Sequence, residues 1–310
     1  MIARILAVAC AVAGVPAAAQ TAPAAAPFTS YADDFDRFAT ETSAMPEAER
    51  VKLFRARFDA LFPGFYEPRN GLNDAQYDIR VAKALHEYPA LRDKYRSAAA
   101  AFSRAYREGI GHFRVAFPDF HPTVPIYLVH SLGEMDGGGR TLRGREVMVF
   151  GADVIARIHD TKTIGPFFDH ELFHIYHGQY FADCGALWCS LWIEGLAVYA
   201  ASRMNPGVDD SGLLLTQPRP IRPEVEPRFG EAICFARGKF ASKDDTDIRA
   251  FFMGGSGAAT GWPPRFGYYL GYRLAQTIGA DHDLAALAKM PPEKVEPLLQ
   301  EAMAKLASCS

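Results

Sequence analysis

The segment PFFDHELFHIYHG, residues 166–178, constrains this chain more than any other. Pro166 suits the first position of a helix, where its missing N–H is not needed, and Gly178 suits the stop. Between them a helix of about three turns places His170 and His174 on one face, with their rings about 6 Å apart. Two imidazoles so placed can bind one Zn²⁺, and Glu171, one step round the helix, can reach the metal's water without joining the ligands. Phe167, Phe168, Leu172, Phe173 and Ile175 supply the apolar surface that buries such a helix. Composition alone produces an H-E-x-x-H in roughly one chain of this length in a hundred, so the motif needs support from elsewhere.

That support is LWIEGLAVYAASRMNPG, a helical stretch whose single carboxylate, Glu194, lies among Leu191, Trp192, Ile193, Leu196, Ala197 and Val198. An unpaired carboxylate in such surroundings is costly to bury unless a cation holds it, and zinc would be that cation. The bland alternative puts Glu194 on a solvent-facing side of the helix. His177 is a rival third ligand, although three ligands from one short helix rarely converge on a tetrahedral metal. Trp188 and Trp192, four apart, read as core.

Upstream, residues 31–121 read as a helical N-terminal lobe. PEAERVKLFRARFDALF, from Pro46, carries Val51, Leu53, Phe54, Phe58, Leu61 and Phe62 at helical spacing, and NDAQYDIRVAKALHEY and the Ala-rich stretch from Leu91 to Tyr106 follow the same pattern. After Pro122 the character changes. VPIYLVHSL and REVMVFG read as strands, with GEMDGGGRTLRG as a loop between them, and no GK[ST] follows the glycines at 137–139 to make a phosphate cradle. Further helices follow, broken by a Pro-rich loop at 205–227 and a Gly-rich loop at 254–264. The expected fold class is α+β: one mostly helical unit with a small β-sheet, its catalytic region spanning 122–310.

HELFH, followed after nineteen residues by the Glu of WIEGLA, resembles the gluzincin class of zinc metallopeptidases. The spacing is similar to that of thermolysin-like enzymes, and W-x-E-G-x-A is similar to the corresponding helix of zinc aminopeptidases. The order of strand pair, Gly-rich loop, HExxH, EGLA and a late GYYLGYR resembles bacterial families of predicted zinc-dependent proteases, over roughly residues 120–290. The resemblance implies a zincin-like catalytic domain with His170, His174 and Glu194 as ligands and Glu171 as general base. It also implies an oxyanion donor from a later element, for which Tyr268, Tyr269 and Tyr272 offer themselves; Tyr268 is the choice. Two departures stand out. Val198 occupies the place where thermolysin-like enzymes carry an Asp that orients a ligand histidine, leaving Asp169 or Asp183 as substitutes, and the aminopeptidase motif G-x-M-E-N is missing. The longer H-E-x-x-H-x-x-G-x-x-H pattern is excluded by His177 and Tyr180.

The first twenty residues carry one charge, Arg4, an apolar run from Ile5 to Val15, and Ala17 and Ala19 before Gln20. This reads as a secretory signal over 1–19, too short to span a bilayer, followed by an Ala/Pro leader over 20–30 as a flexible tether. Cys10 as a lipoprotein cysteine is the weaker reading. The mature chain keeps Cys184, Cys189, Cys234 and Cys309, an even number that in an oxidising compartment reads as two disulfides among three possible connectivities. Cys184 and Cys189 are close enough in sequence to pair locally, which would leave Cys234 with Cys309, and a zinc site made by these thiols is the rival reading. With 49% hydrophobic and 22% charged residues the chain can bury a core. A formal net charge of −3 without a basic run argues against nucleic acid as partner. The expectation is an exported zinc metallopeptidase, periplasmic or secreted, with a peptide or protein substrate and no transmembrane segment in the mature chain. The alternatives are a cell-envelope zinc-binding scaffold protein without turnover and a hydrolase of non-peptide amides.

Overall fold

The computed structural model describes residues 28–69, 71–253 and 260–309. The expected signal peptide, Cys10 and residues 20–27 of the leader lie outside the described residues. The end of the leader belongs to the fold: Phe28–Ser30 is strand β1 and pairs in parallel with β2, Ile126–Val129. The helical lobe is therefore an insertion between two neighbouring strands.

That lobe consists of α1 (Ala32–Glu41), α2 (Glu47–Leu61) and α3 (Asp74–Ala116). The two stretches read as separate helices on either side of Pro89 are one helix of 43 residues, about 65 Å long. A capping box starts it, with Asn73 and Gln76 each accepting from the other's backbone N–H. An interior proline costs about 3 kcal/mol. Here the buried stripe Leu85, Tyr88, Leu91, Tyr95 and Ala98 runs through Pro89 in phase, and the packing it brings offsets the lost bond. Phe35, Phe38, Phe54 and Phe58 fill the space between helices, and the lobe is joined to the sheet at His130. There the Tyr66 hydroxyl donates to the His130 carbonyl at 2.9 Å, and Phe35 stacks on the imidazole at 3.7 Å between centroids.

The sheet has the order β1-β2-β4-β3, with β3 at Gly137–Leu142 and β4 at Arg145–Gly151. β2 and β4 are parallel; β3 runs antiparallel to β4 and occupies the edge. The glycines at 137–139, expected in a loop, are thus the first half of an edge strand, paired with Phe150, Val149 and Met148. Ladder pairing needs only backbone, and at Gly137 it needs the lack of a side chain, because a Cβ there would meet the Phe167 and Phe150 rings at 2.9 and 3.0 Å. The bare strand can therefore lie close against the helix that carries Phe167.

That helix is α5, Ile164–His177, reached from β4 through α4, Ala152–Ile158. It packs on α6, Leu187–Met204, which packs in turn on α10, Phe266–Ile278. Gly195 and Gly271 set the second contact: a Cβ on either would run into the other helix's backbone, so the two helices meet main chain to main chain. The remaining helices, α7 (Arg222–Val225), α8 (Phe229–Gly238), α9 (Asp245–Phe252), α11 (Leu284–Ala288) and α12 (Pro292–Leu306), surround this pair. Cys184 pairs with Cys189 and Cys234 with Cys309, at Cα separations of 6.0 and 5.4 Å. The first bond spans the connection from α5 to α6, and the second ties α8 to the end of the chain. Trp188 and Trp192 are buried. The whole is an α+β fold, mostly helical with a small mixed sheet. No described helix is long and apolar enough to cross a membrane.

Candidate metal centre

Helix α5 buries Phe167, Phe168, Leu172, Phe173 and Tyr176, and this fixes its rotation. His170 and His174 then point together toward α6, where burial of Leu191, Trp192 and Val198 turns Glu194 toward them. The two Nε2 atoms are 3.0 Å apart, and Glu194 Oε2 lies 3.5 Å from His170 Nε2 and 3.4 Å from His174 Nε2. These three residues are the cluster of ligand-type groups found among the described residues that could hold a metal ion. A tetrahedral zinc with bonds of about 2.0–2.1 Å separates neighbouring ligand atoms by about 3.3 Å. The three observed separations bracket that value, so the donor set fits the ion in chemistry and in size.

The electrostatics of the protein groups point the same way. Burial works against a charged Glu194, yet the His174 charge and hydrogen bonds from both histidines hold its carboxyl well below the usual range. Burial also works against a charged His174, but the Glu194 carboxylate outweighs it and raises the imidazole to about 9. His170 goes the other way, its cation disfavoured by burial. The site therefore keeps a half-buried carboxylate ionised and attracts positive charge to it.

Glu171 is buried next to this group without joining it. Burial pushes its carboxyl up to about 8, opposed by His174 and Arg265 and reinforced by Asp136 and Glu194. Together these residues line a cleft of about 560 Å³, bounded on one side by Gly137–Gly139 of β3 and on another by Tyr268 of α10. Tyr268 faces His170 with 6.4 Å between ring centroids, and Tyr269 and Tyr272 do not line the cleft. Tyr269 donates instead to Glu226 at 2.5 Å, and the Tyr272 hydroxyl accepts from Gln276.

His177 sits on the same helix face but in a different role. Its Nδ1–H donates to the Ala288 carbonyl at 2.7 Å, and its ring lies between Phe173 and Phe181. It falls outside the three-residue cluster. Asp169 accepts from Asn205 at 2.8 Å, and Asp183 caps the Gly185 N–H at 2.9 Å; these are the bonds found for the two proposed orienting acids. Sequence reasoning missed two residues. Asp136 lines the cleft beside Glu171, at the start of the strand that read as a loop, and Arg265 enters it from the N-terminus of α10. Neither belongs to a periodic pattern; the signal available for Asp136 was its place before three glycines that leave the cleft wall bare. Compared with protein family models, with characterised proteins and with solved structures, the chain matches none.

Proposed function

We propose that this chain is an exported zinc metallopeptidase of gluzincin type. The observation that carries the reading is the convergence of His170, His174 and Glu194 at separations suited to one tetrahedral zinc, with Glu171 beside them. Bound there, zinc would polarise a substrate carbonyl and bring the pKa of a coordinated water to about 7. Glu171 accepts the proton of the attacking water and passes it to the leaving nitrogen, and its closeness to the ligands without being one suits this task. Tyr268 donates its O–H to the oxygen that becomes negative as the carbonyl is attacked, a kind of contact typically worth about 3 kcal/mol. A peptide is the substrate that best suits the cleft wall, because edge strand β3 offers backbone groups along Gly137–Gly139 with no side chains in the way. The two disulfides accord with an oxidising compartment, periplasmic or extracellular.

The test is metal analysis of the purified protein together with digestion of an unbiased peptide library. One zinc per chain and cleaved peptides are expected. Zinc without cleavage would favour a zinc-binding scaffold; cleavage of non-peptide amides alone would move the chain to another hydrolase class.

A further inference from the structure

Arg265 is the single lysine or arginine among the described residues that line the cleft. Its backbone is left-handed, with φ 65° and ψ 16°, a conformation that glycine adopts freely and arginine rarely. It stands immediately before α10, one turn from Tyr268, and its guanidinium lies 4.5 Å from the centre of the Tyr268 ring. Other arginines of this region have carboxylate partners: Arg222 has Asp210, Arg273 has Glu226 and Arg228 has Glu231. Arg265 forms no ion pair among the described residues, and the stretches 1–27, 70 and 254–259 contain no Asp or Glu that could supply one. The cleft thus holds a half-buried guanidinium that rests on Tyr268 and has no carboxylate partner among the described residues.

Its surroundings define what that partner is. Asp136 and Asp183 line the same cleft and would repel an anion entering it, so an anionic group is favoured on the side where Arg265 offsets them. A planar guanidinium fork matches a carboxylate in two parallel hydrogen bonds, a geometry that a neutral amide oxygen does not use. Tyr268 lies between this fork and His170, with 6.4 Å from its ring to the imidazole. Arg265 and the ligand cluster thus share one cleft with Tyr268 in contact range of both, so a carboxylate held at Arg265 would bring the amide bond of its own residue toward the cluster. We propose that Arg265 binds the free C-terminal carboxylate of the substrate, so that the chain removes residues from peptide C-termini. This rests on the peptidase reading, and Arg265 enters it as a specificity-determining residue.

The experiment measures calorimetric binding of three N-acetylated tripeptides to the full chain carrying Glu171→Gln, which stops turnover. One has a free C-terminus, one is its C-terminal amide, and one is an amide with a glutamate side chain. The free acid should bind at least about tenfold more tightly than either amide, as a charge-assisted bidentate pair requires. Adding Arg265→Gln should bring the ratio close to one with zinc content unchanged, and Arg265→Lys should keep part of it. Equal binding of acid and amide, or a ratio that survives Arg265→Gln, overturns the proposal; equal binding of the glutamate amide assigns Arg265 to acidic side chains instead and overturns it too. If Arg265→Gln does not fold, Arg265→Lys supplies the comparison: an acid-to-amide ratio equal to that of the unsubstituted Arg265 overturns the proposal. Product mapping with the unmodified chain separates the two levels. Internal cleavage of peptides blocked at both ends, as fast as that of free acids, sinks the C-terminal assignment and leaves the peptidase standing. Failure to cleave any peptide sinks the peptidase, while the binding ratio still decides the role of Arg265.

Discussion

Two histidine–carboxylate groups, one buried at the junction of lobe and sheet and one half-buried between α5 and α6, show how similar chemistry is closed in one place and left open in another. His130 stacks on Phe35, its Nδ1 accepts from the Leu132 N–H, and Asp153 beside it receives the Ser131 and Gly133 N–H groups and the Ser131 hydroxyl. Every charge there is met by the backbone around it. At His170, His174 and Glu194 three ligand-type atoms converge on one another and border a cleft. The first arrangement holds the lobe on the sheet; the second, on the reading proposed above, receives a cation.

The comparison is broken most forcefully by exchanging the two sites' fates. His170→Ala, His174→Ala or Glu194→Ala should each weaken zinc binding on the order of a thousandfold, since each removes one of three protein ligands. His130→Ala should leave zinc stoichiometry unchanged and cost about 3 kcal/mol in denaturant unfolding, through lost packing against Phe35. Zinc loss in the His130 variant, or full retention in the Glu194 variant, would remove the distinction.

Much of this site was legible because a helix translates a spacing of four into a shared face whatever surrounds it. Glu194 was legible through its apolar neighbours, and the place of Tyr268 at the cleft through the family resemblance, which implies a donor from a later element. Arg265 was not, because one cation between Pro264 and Phe266 has no period, and its left-handed backbone is a tertiary result. Strand β3 was hidden since three glycines carry turn propensity, which pairing with β4 overrides. The continuity of α3 was hidden for the converse reason: Pro89 signals a boundary locally, and the buried stripe that carries the helix through it is seen only in the packing.

A further sharpening concerns how Glu194 is aimed. Gly195→Ala inserts a Cβ into the backbone of α10 at Gly271 and should cost about 3 kcal/mol, with loosened zinc as a consequence. Denaturant titration with and without zinc reads both; a neutral change would mean that the helix contact does not position the ligand.

Acid should act on the site's flank to a similar or smaller extent. Burial lowers the His177 pKa to about 4 from an ordinary 6.5. The unfolded chain then binds the proton more readily than the folded one between those values, so stability is full above about pH 6.5 and declines by about 3 kcal/mol as pH falls to about 4. His177→Phe should flatten that part of the stability profile, and an unchanged slope would assign it to other groups. Smallest is the effect of opening the Cys184–Cys189 bond, which closes a short loop and should contribute roughly 2 kcal/mol. A Cys184→Ser, Cys189→Ser double variant with unchanged zinc affinity would show that packing alone aims α6.

The central claim, that the open group works as a peptidase centre, is tested most directly by Glu171→Gln. Glu171 lies outside the ligand cluster, so the amide should leave one zinc per chain and the fold intact. It cannot take the proton of the attacking water or deliver it to the leaving nitrogen, and such steps contribute about 10²–10⁴-fold each. Zinc content and turnover of a peptide that the unmodified chain cleaves, measured side by side near neutral pH, should therefore show unchanged metal with turnover reduced at least about a hundredfold. Turnover equal to that of the unmodified chain would contradict the account.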